Sequence, residues 1–239
     1  MFGTPDHGFW CCHGTGVESH SKFGDSIYFH DDTGIWVNQY IASQVEWPEK
    51  GVRLVQQTGF PAADTARLTV HVAKPTQLGL RIRMPYWLAG PATVALNGRK
   101  LTPPASPGSY FLVNHLWHNG DVVDVMLPMK LHVHAMPDDP TVQAVMYGPL
   151  VLAGKLGHEP LRAPPTPPRM TPDFDMTPET KPIAVAAIVA KDGNILSVVK
   201  SAGKPLEFTI AGQDHDIALM PFNTVFDERY AVYWKVTTG

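Results

Sequence analysis

Apolar and polar residues alternate along much of the chain, which is the pattern of β-strands with one buried face. In residues 78–84, apolar side chains occupy every second position, and Arg81 and Arg83 fill part of the other face. Strands are predicted at residues 35–41, 52–57, 66–72, 78–83, 93–96, 110–113 and 122–127. Asn97-Gly98 and Asn119-Gly120 each predict a tight hairpin turn. The first half of the chain therefore predicts a β-sandwich over about residues 29–135.

Helical spacing of apolar and small residues occurs near the N-terminus. Such residues recur at helical intervals over about residues 17–28, Thr15 is placed as an N-cap, and Glu18 follows it as in a capping box. The pattern predicts one short helix over this segment. The start of that helix would direct backbone N–H groups and a partial positive charge towards Cys11 and Cys12, which favours thiolate over thiol.

The second half of the chain also has a pattern of short strands separated by turns. A buried run at residues 142–152 is interrupted by Gly148-Pro149, and residues 160–182 are so rich in proline that we expect an extended surface loop. Further strands are predicted at residues 183–189, 195–199, 207–210, 217–221 and 230–236. The chain is therefore expected to be mostly β, with two β-sandwich domains after the short helix.

Composition narrows the classes of function. The chain has 239 residues, enough for two domains, and its 23 prolines and 20 glycines favour short strands joined by turns over long helices. The formal charge of -3 offers no basic surface for nucleic acid. No apolar run approaches the ~20 residues of a membrane-spanning helix, and the first residues lack the pattern of a signal peptide. We expect neither a nucleic-acid partner nor a membrane partner.

Both cysteines of the chain, Cys11 and Cys12, are adjacent in a glycine-bracketed segment. Adjacent cysteines can be two small buried side chains, a nucleophile, or ligands of zinc. His7, His13 and His20 lie close by in the sequence and favour the nucleophile or metal alternatives. A closed zinc site takes four ligands, and this segment supplies two thiolates and one or two imidazoles, so a complete site needs donors from elsewhere.

Three carboxylates near this segment have structural explanations. Glu18 is accounted for by the capping box. Asp31 and Asp32 directly precede Thr33-Gly34, which predicts a turn rather than a pair of catalytic carboxylates.

Tryptophans and histidines further along the chain also allow both a structural and a functional interpretation. Four tryptophans could stack on sugar rings, but tryptophans at strand ends more often pack in a core or between domains; they are Trp36, Trp47, Trp87 and Trp117. His132 and His134 alternate on one predicted strand face, and without a neighbouring acid or thiol we expect them at the surface.

Residues 9–28, with the sequence FWCCHGTGVESHSKFGDSIY, resemble the end of the catalytic domain of the β-L-arabinofuranosidases of glycoside hydrolase families 127 and 146. The middle sandwich, residues 144–154 and the closing residues 229–234 resemble the C-terminal half of the same family. The resemblance covers essentially the whole chain, and the double-cysteine motif is its most specific part.

The resemblance implies a retaining glycosidase in which a thiolate takes the place of the second carboxylate. On the family pattern, Cys11 is the nucleophile and a zinc ligand, and Cys12 is a second zinc ligand. The remaining ligands, a glutamate and a further cysteine, belong with the acid/base glutamate to an upstream (α/α)6 barrel. We therefore expect further sequence upstream, an incomplete zinc site in this chain, and no activity in isolation.

The resemblance also divides the chain into three parts. Residues 1–28 would be the end of the catalytic helical barrel, residues 29–140 a middle β-sandwich domain, and residues 141–239 a C-terminal β-sandwich domain. The expected partners are an arabinose-containing oligosaccharide or glycan and the missing N-terminal barrel. Two other hypotheses stay open: a non-catalytic carbohydrate-binding or structural module, and a small metal-binding protein, which the four-ligand count disfavours.

Overall fold

The computed structural model describes residues 11–101, 106–158, 185–226 and 228–239, and for residues 11–13 it describes the backbone alone. The chain divides into two compact units. The middle unit comprises Lys22–His132 and Tyr147–Leu150; the C-terminal unit comprises Val133–Met146 and Val151–Gly239, with the described part of Met1–Ser21. The domain boundaries drawn from the resemblance stay predictions. The predicted proline-rich loop at residues 160–182 lies outside the described residues.

The predicted helix is present, but it begins and ends earlier than the sequence pattern indicates. The helix α1 spans Cys11–Lys22. Thr15 and Glu18 therefore lie inside the helix, and the predicted capping box at its start is wrong. The helix does not extend to Tyr28, because Tyr28 pairs with Val37 in a β-sheet. A strand pairing made by the folded chain outweighs a weak local helical spacing.

The middle unit contains two β-sheets whose facing sides form one core. Its strands are β1 (Tyr28–Asp31), β2 (Gly34–Val37), β3 (Ser43–Trp47), β4 (Val52–Thr58), β5 (Thr65–Val72), β6 (Thr76–Met84), β7 (Thr93–Leu96), β8 (Arg99–Lys100), β9 (Ser109–Trp117) and β10 (Asp121–Met126), with a 3-10 helix at Pro48–Lys50. One sheet has the order β1-β2-β6-β9 and the other β3-β4-β5-β10-β7-β8. β2 and β6 run parallel, whereas β6 and β9 are antiparallel.

Alternation along the strands produces the core between these sheets. The inward-facing residues of β5 and β6 are each at most 7% exposed: Ala66, Leu68, Val70, Val72, Leu78, Leu80, Ile82 and Met84. Arg81 and Arg83 occupy the other face of β6, as predicted. Burying one large apolar side chain contributes roughly 1.5–3 kcal/mol, so this shared core is the main source of stability in the unit.

Asn97-Gly98 forms the predicted hairpin, whereas the hairpin predicted at Asn119-Gly120 is wrong. Both residues of the first turn have positive φ, 50° and 80°, and the turn joins β7 to β8. The second turn joins β9 to β10, which belong to different sheets, so the chain crosses between the sheets as an arch. Trp117 fixes this crossing: its side chain is fully buried, and its Nε1 donates to the Leu78 carbonyl oxygen at 2.9 Å.

The C-terminal unit is built on a nine-stranded sheet. Its strands are β11 (Leu131–Ala135), β12 (Val142–Tyr147), β13 (Leu150–Lys155), β14 (Ile188–Val189), β15 (Val199–Ser201), β16 (Phe208–Ile210), β17 (Ile217–Pro221), β18 (Tyr230–Ala231) and β19 (Trp234–Thr237), with 3-10 helices at Ile195–Val198 and Phe222–Thr224. Seven strands follow the order β14-β19-β12-β13-β17-β16-β15, while β11 pairs with β12 and β18 with β13. The predicted mostly-β class is confirmed. None of the described helices has the length and apolar character needed to cross a membrane.

The strand predicted at residues 195–199 is instead a 3-10 helix followed by the short strand β15. Asn194 Oδ1 accepts a hydrogen bond from the backbone N–H of Leu196 at 3.0 Å and caps this helix. The buried Gln143 accepts another from the N–H of Ile195, also at 3.0 Å. The cap is local in sequence, but the contact with Gln143 spans 52 residues and exists only in the fold.

Replacing Gly34 by alanine is expected to destabilise the middle unit. Gly34 lies opposite Gly79 on the neighbouring parallel strand, and a Cβ at Gly34 would overlap the Gly79 carbonyl oxygen and lie 2.8 Å from its carbonyl carbon. Because the backbone cannot yield without disturbing the pairing of β2 with β6, we expect a loss of about 2–3 kcal/mol in the free energy of unfolding. Urea unfolding followed by tryptophan fluorescence measures this loss. Gly90→Ala is the control, since its new methyl group meets nothing within 4 Å; equal stability of both variants would contradict the prediction.

Asp139 is expected to remain ionised far into the acid range while the protein is folded. Lys235 Nζ donates to Asp139 Oδ2 at 2.7 Å, and Thr141 donates to the same carboxylate; these bonds lower the pKa of Asp139 to about 2 from 3.8. The stabilising contribution is therefore complete above the unfolded value and is lost as the pH falls through about 2. A ¹³C NMR titration of the carboxyl carbon measures this pKa. Lys235→Met should raise it towards its ordinary value, and Lys200→Met should leave it unchanged.

Candidate functional site

The cysteine pair lies in α1. The backbone of Cys11 and Cys12 is helical rather than part of a turn before the helix, and their side chains lie outside the described residues. In the described part of the helix, Glu18 is exposed, and His20 Nδ1 lies 3.0 Å from the Gly16 carbonyl oxygen. The roles of Cys11 and Cys12 as nucleophile and metal ligands stay predictions.

Asp31 and Asp32 form the predicted turn. Oδ1 of Asp31 accepts hydrogen bonds from the hydroxyl and the backbone N–H of Thr33, both at 2.7 Å, and from the N–H of Gly34 at 3.1 Å. The Thr33 hydroxyl makes the largest contribution to lowering the pKa of the Asp31 carboxyl. The group is thus ionised near neutral pH and does not serve as a proton donor there, so a structural role accounts for it.

The four tryptophans separate into two that are buried and two that reach the surface. Trp117 is fully buried and Trp47 is 8% exposed, so both pack in the core as predicted. Trp36 is partly buried beside Arg81, whose guanidinium carbon lies 4.0 Å from the ring centroid in a cation–π contact. Trp87 is also partly buried, and it lines a concave surface. Trp87 is therefore the tryptophan best placed to contact a ligand.

The groove at Trp87 is formed by separate segments of the middle unit. It has a volume of about 330 Å³, within the range of small-molecule sites. Its lining includes Asn38, Tyr40, Phe60, Arg83, Trp87 and Pro149. The rings of Phe60 and Trp87 stack, with centroids 5.7 Å apart and planes inclined by 20°. Aromatic walls with a few fixed polar groups are typical of sites for small organic ligands.

Hydrogen bonds hold the polar groups of this groove in place. Arg83 Nη1 donates to the Asn38 carbonyl oxygen at 3.1 Å, and the Tyr110 hydroxyl donates to Asn38 Oδ1 at 2.7 Å. The Tyr40 hydroxyl donates to the Arg83 carbonyl oxygen at 2.5 Å, and burial raises the pKa of Tyr40 well above its ordinary value, so it stays protonated. A guanidinium that lines the same groove as two stacked rings offers N–H donors suited to a hydroxylated ring such as a sugar.

A larger depression of about 520 Å³ lies on the outer face of the six-stranded sheet. Its charged groups are Arg67 and Asp124, and the two guanidinium nitrogens Nε and Nη2 donate to the two carboxylate oxygens at 2.7 and 3.2 Å. These two groups satisfy each other on an exposed surface, so we assign the depression no ligand.

Sequence reasoning missed a cluster at the arch between β9 and β10. His115, His118 and Asp121 bring three possible metal-ligand atoms within 4.8 Å of one another; the spacing His-x-x-His-x-x-Asp was the available signal. The two histidines that the sequence did single out differ from each other. His134 is exposed as predicted, but His132 is partly buried, with Nε2 2.9 Å from a backbone carbonyl oxygen.

The sequence matches two family models in succession. Residues 34–129 match the β-L-arabinofuranosidase, GH127 middle domain, and residues 132–236 match the domain of unknown function DUF4986. No curated protein matches the chain. The first match falls within the middle unit, which contains both facing sheets and the aromatic groove.

Solved structures share the fold over most of the chain. A protein described as a glycoside hydrolase superimposes with a TM-score of 0.65 at 18% identity, over 99% of this chain and 42% of its own. A GH127 β-L-arabinofuranosidase from Geobacillus stearothermophilus T6 gives 0.64 at 19% identity, over 95% and 37%. A further GH127 β-arabinofuranosidase gives 0.58 at 19% identity, over 88% and 36%. The chain thus spans less than half the length of these proteins, and at such identities the likeness shows the fold.

The family model and the fold agree with each other. The family match covers every strand of the two facing sheets except β1, and the structural likeness extends over the residues on both sides of it. Residues 34–129 thus match the middle domain of the GH127 β-L-arabinofuranosidases, and the shared fold extends this likeness to a C-terminal part of such a protein.

Proposed function

We propose that the chain is the C-terminal portion of a retaining glycoside hydrolase that acts on β-L-arabinofuranosides with Cys11 as its nucleophile. The observation that carries this proposal is the GH127 middle-domain match at residues 34–129, which follows the cysteine pair and α1 in the chain. Two of the proteins that share its fold are named as GH127 arabinofuranosidases. The substrate would be an arabinose-containing oligosaccharide or glycan.

A thiolate at Cys11 can perform the protein's part of a retaining reaction. The sulfur attacks the anomeric carbon, and a C–S bond forms as the C–O bond to the leaving group breaks, while an acid gives the leaving oxygen a proton. Water then attacks the same carbon and releases the thiolate, so two inversions retain the configuration. We assign the acid, which becomes the base in the second step, to a glutamate of the upstream barrel that the resemblance implies.

A thiolate at Cys11 would be favoured near the N-terminus of a helix. The described part of α1 begins at Cys11, and both cysteines belong to it. Backbone N–H groups without helical partners and the helix dipole place partial positive charge at a helix N-terminus, which lowers the pKa of a thiol there. We propose that the Cys11 thiol lies in such an environment.

Zinc fits this part of the chain only as half of a site. A four-coordinate zinc ion needs four donors, and the sequence has two cysteines, Cys11 and Cys12. These two thiolates would hold one side of the ion, and the other donors would come from the upstream barrel. When bound, zinc would keep the thiolates deprotonated at neutral pH. We therefore propose that this chain is inactive on its own.

Replacing Cys11 is expected to abolish activity in an upstream-extended version of the chain that includes the barrel. The rate of hydrolysis of p-nitrophenyl β-L-arabinofuranoside should fall at least about 10³-fold in Cys11→Ala, because no nucleophile remains. Mass spectrometry should show a glycosyl adduct on Cys11 in the parent alone.

The matched control is Glu18→Gln, an exposed change on the same helix that should leave the rate unchanged. The 239-residue chain should show no hydrolysis in the same assay. Full activity of the 239-residue chain would show that the catalytic site needs no upstream barrel and would refute that part of the proposal. Undiminished activity in Cys11→Ala would refute the assignment of Cys11 as the nucleophile.

The aromatic groove favours a second candidate function, carbohydrate binding by the middle unit. Phe60 and Trp87 form a stacked pair in a groove of about 330 Å³ that Arg83 also lines. Rings of this kind pack against the C–H faces of sugars, and the guanidinium donates to hydroxyl groups. Such a site would act without the barrel, either as a binding module or as an outlying contact for a longer glycan.

Trp87→Ala is expected to weaken the binding of arabino-oligosaccharides at least about tenfold, because it removes one of the two stacked rings. Calorimetric titration of the short chain measures the affinity, and quenching of tryptophan fluorescence reports the contact. Trp36→Ala is the control, since that ring is covered by Arg81 outside the groove. Equal affinity of both variants and the parent would exclude the groove as a sugar site.

A further inference from the structure

The arch between β9 and β10 brings together three side chains that are common zinc ligands. His115 Nε2 lies 3.5 Å from Asp121 Oδ2, and His118 Nδ1 lies 3.9 Å from the same oxygen. In a tetrahedral zinc site with bonds of about 2.0–2.1 Å, neighbouring ligand atoms lie roughly 3.4 Å apart. All three atoms already lie within 4.8 Å of one another, so small rotations would bring them to coordination distance.

The fold holds two of these ligands at the mouth of the core. His115 occupies the same face of β9 as the buried Val113 and Trp117, and its ring meets that of Trp117 edge-on at 5.0 Å. Asp121 likewise shares a face of β10 with the buried Val123. Inward-facing polar groups at the end of a core are costly unless they have partners, and a shared cation is one such partner.

Two hydrogen bonds fix the orientation of the Asp121 carboxylate. Asn97 Nδ2 donates to Asp121 Oδ1 at 2.9 Å, and the His118 backbone N–H donates to Oδ2 at 2.7 Å. A carboxylate with one oxygen held by an amide is a common orientation for a metal ligand.

We propose that His115, His118 and Asp121 form a zinc site that joins the two sheets of the middle unit. Two imidazoles and one carboxylate suit zinc, whereas calcium and magnesium favour all-oxygen ligand sets. Three protein ligands leave a fourth position for water. His118 is 60% exposed and so can turn towards the ion, while the 12% exposed Asp121 supplies the fixed anchor.

Zinc at this position would link the four-stranded sheet to the six-stranded sheet. His115 belongs to β9 and Asp121 to β10, and the two strands lie in different sheets. An ion bound to both constrains the arch in the folded state and not in the unfolded chain, so it stabilises the fold by mass action. None of these ligands comes from the cysteine pair, so the proposal is independent of the proposed catalytic function.

Zinc chloride titrated into the whole chain by calorimetry tests the site. The parent should carry Cys11→Ser and Cys12→Ser, so that thiolates do not bind the ion. The parent should bind one equivalent of zinc at the cluster of His115, His118 and Asp121. Saturating zinc should raise its melting temperature, and a chelator should reverse this increase. In His118→Ala that equivalent should be lost or bound at least about tenfold more weakly, because one of three ligands is gone.

Asp121→Asn is the second variant, since its side-chain oxygen can still accept the His118 N–H while its charge is removed. The control is His134→Ala, an exposed histidine on β11 that should leave zinc binding unchanged. Metal-free melting temperatures equal to that of the parent would show that the variants fold. The proposal is overturned if the parent binds no zinc, or if His118→Ala and Asp121→Asn bind zinc as the parent does.

Discussion

Burial of the facing sides of two β-sheets is the constraint on which the middle unit depends. Every second residue of β5 and β6 contributes to that core, and Trp117 closes it at the end of β9. Because side chains alternate along a strand, a shift of one residue would expose the apolar set and bury Arg81 and Arg83. The same register therefore sets the path of the arch and the positions of the outer-face arginines.

A buried glutamine on β4, Gln56, connects the core of the middle unit to the wall of the groove. Gln56 is only 2% exposed, and its Nε2 donates to the carbonyl oxygens of Gln39 and Ile41 at 3.0 and 2.9 Å. Those carbonyls belong to the segment that lines the groove beside Trp87. A buried amide with two backbone partners is expensive to disrupt. The groove wall is thus anchored to strand β4 rather than left as a free loop, which pre-organises it for a ligand.

The proposed catalytic chemistry divides between this chain and sequence that the resemblance places upstream. The chain contributes a cysteine pair in α1 and the sheets that follow it. Two thiolates are sufficient for a nucleophile and for half of a zinc site, but not for an acid that protonates the leaving group. The cysteine pair then lies outside the GH127 middle domain. That domain has an aromatic groove at Trp87 and a cluster of two histidines and an aspartate at the arch.

The sequence by itself determined the class of the fold, most strands, the turns at Asp31 and Asn97-Gly98, and the likeness to the GH127 enzymes. These features depend on local rules, since alternation, turn-forming residues and short motifs are read within a few positions. The tertiary structure decided which sheet each strand joins and where α1 ends. It also brought together Phe60 with Trp87, and Gln143 with Ile195. Those outcomes follow from the burial of side chains that are distant in sequence, and no local pattern records which distant residues will share a core.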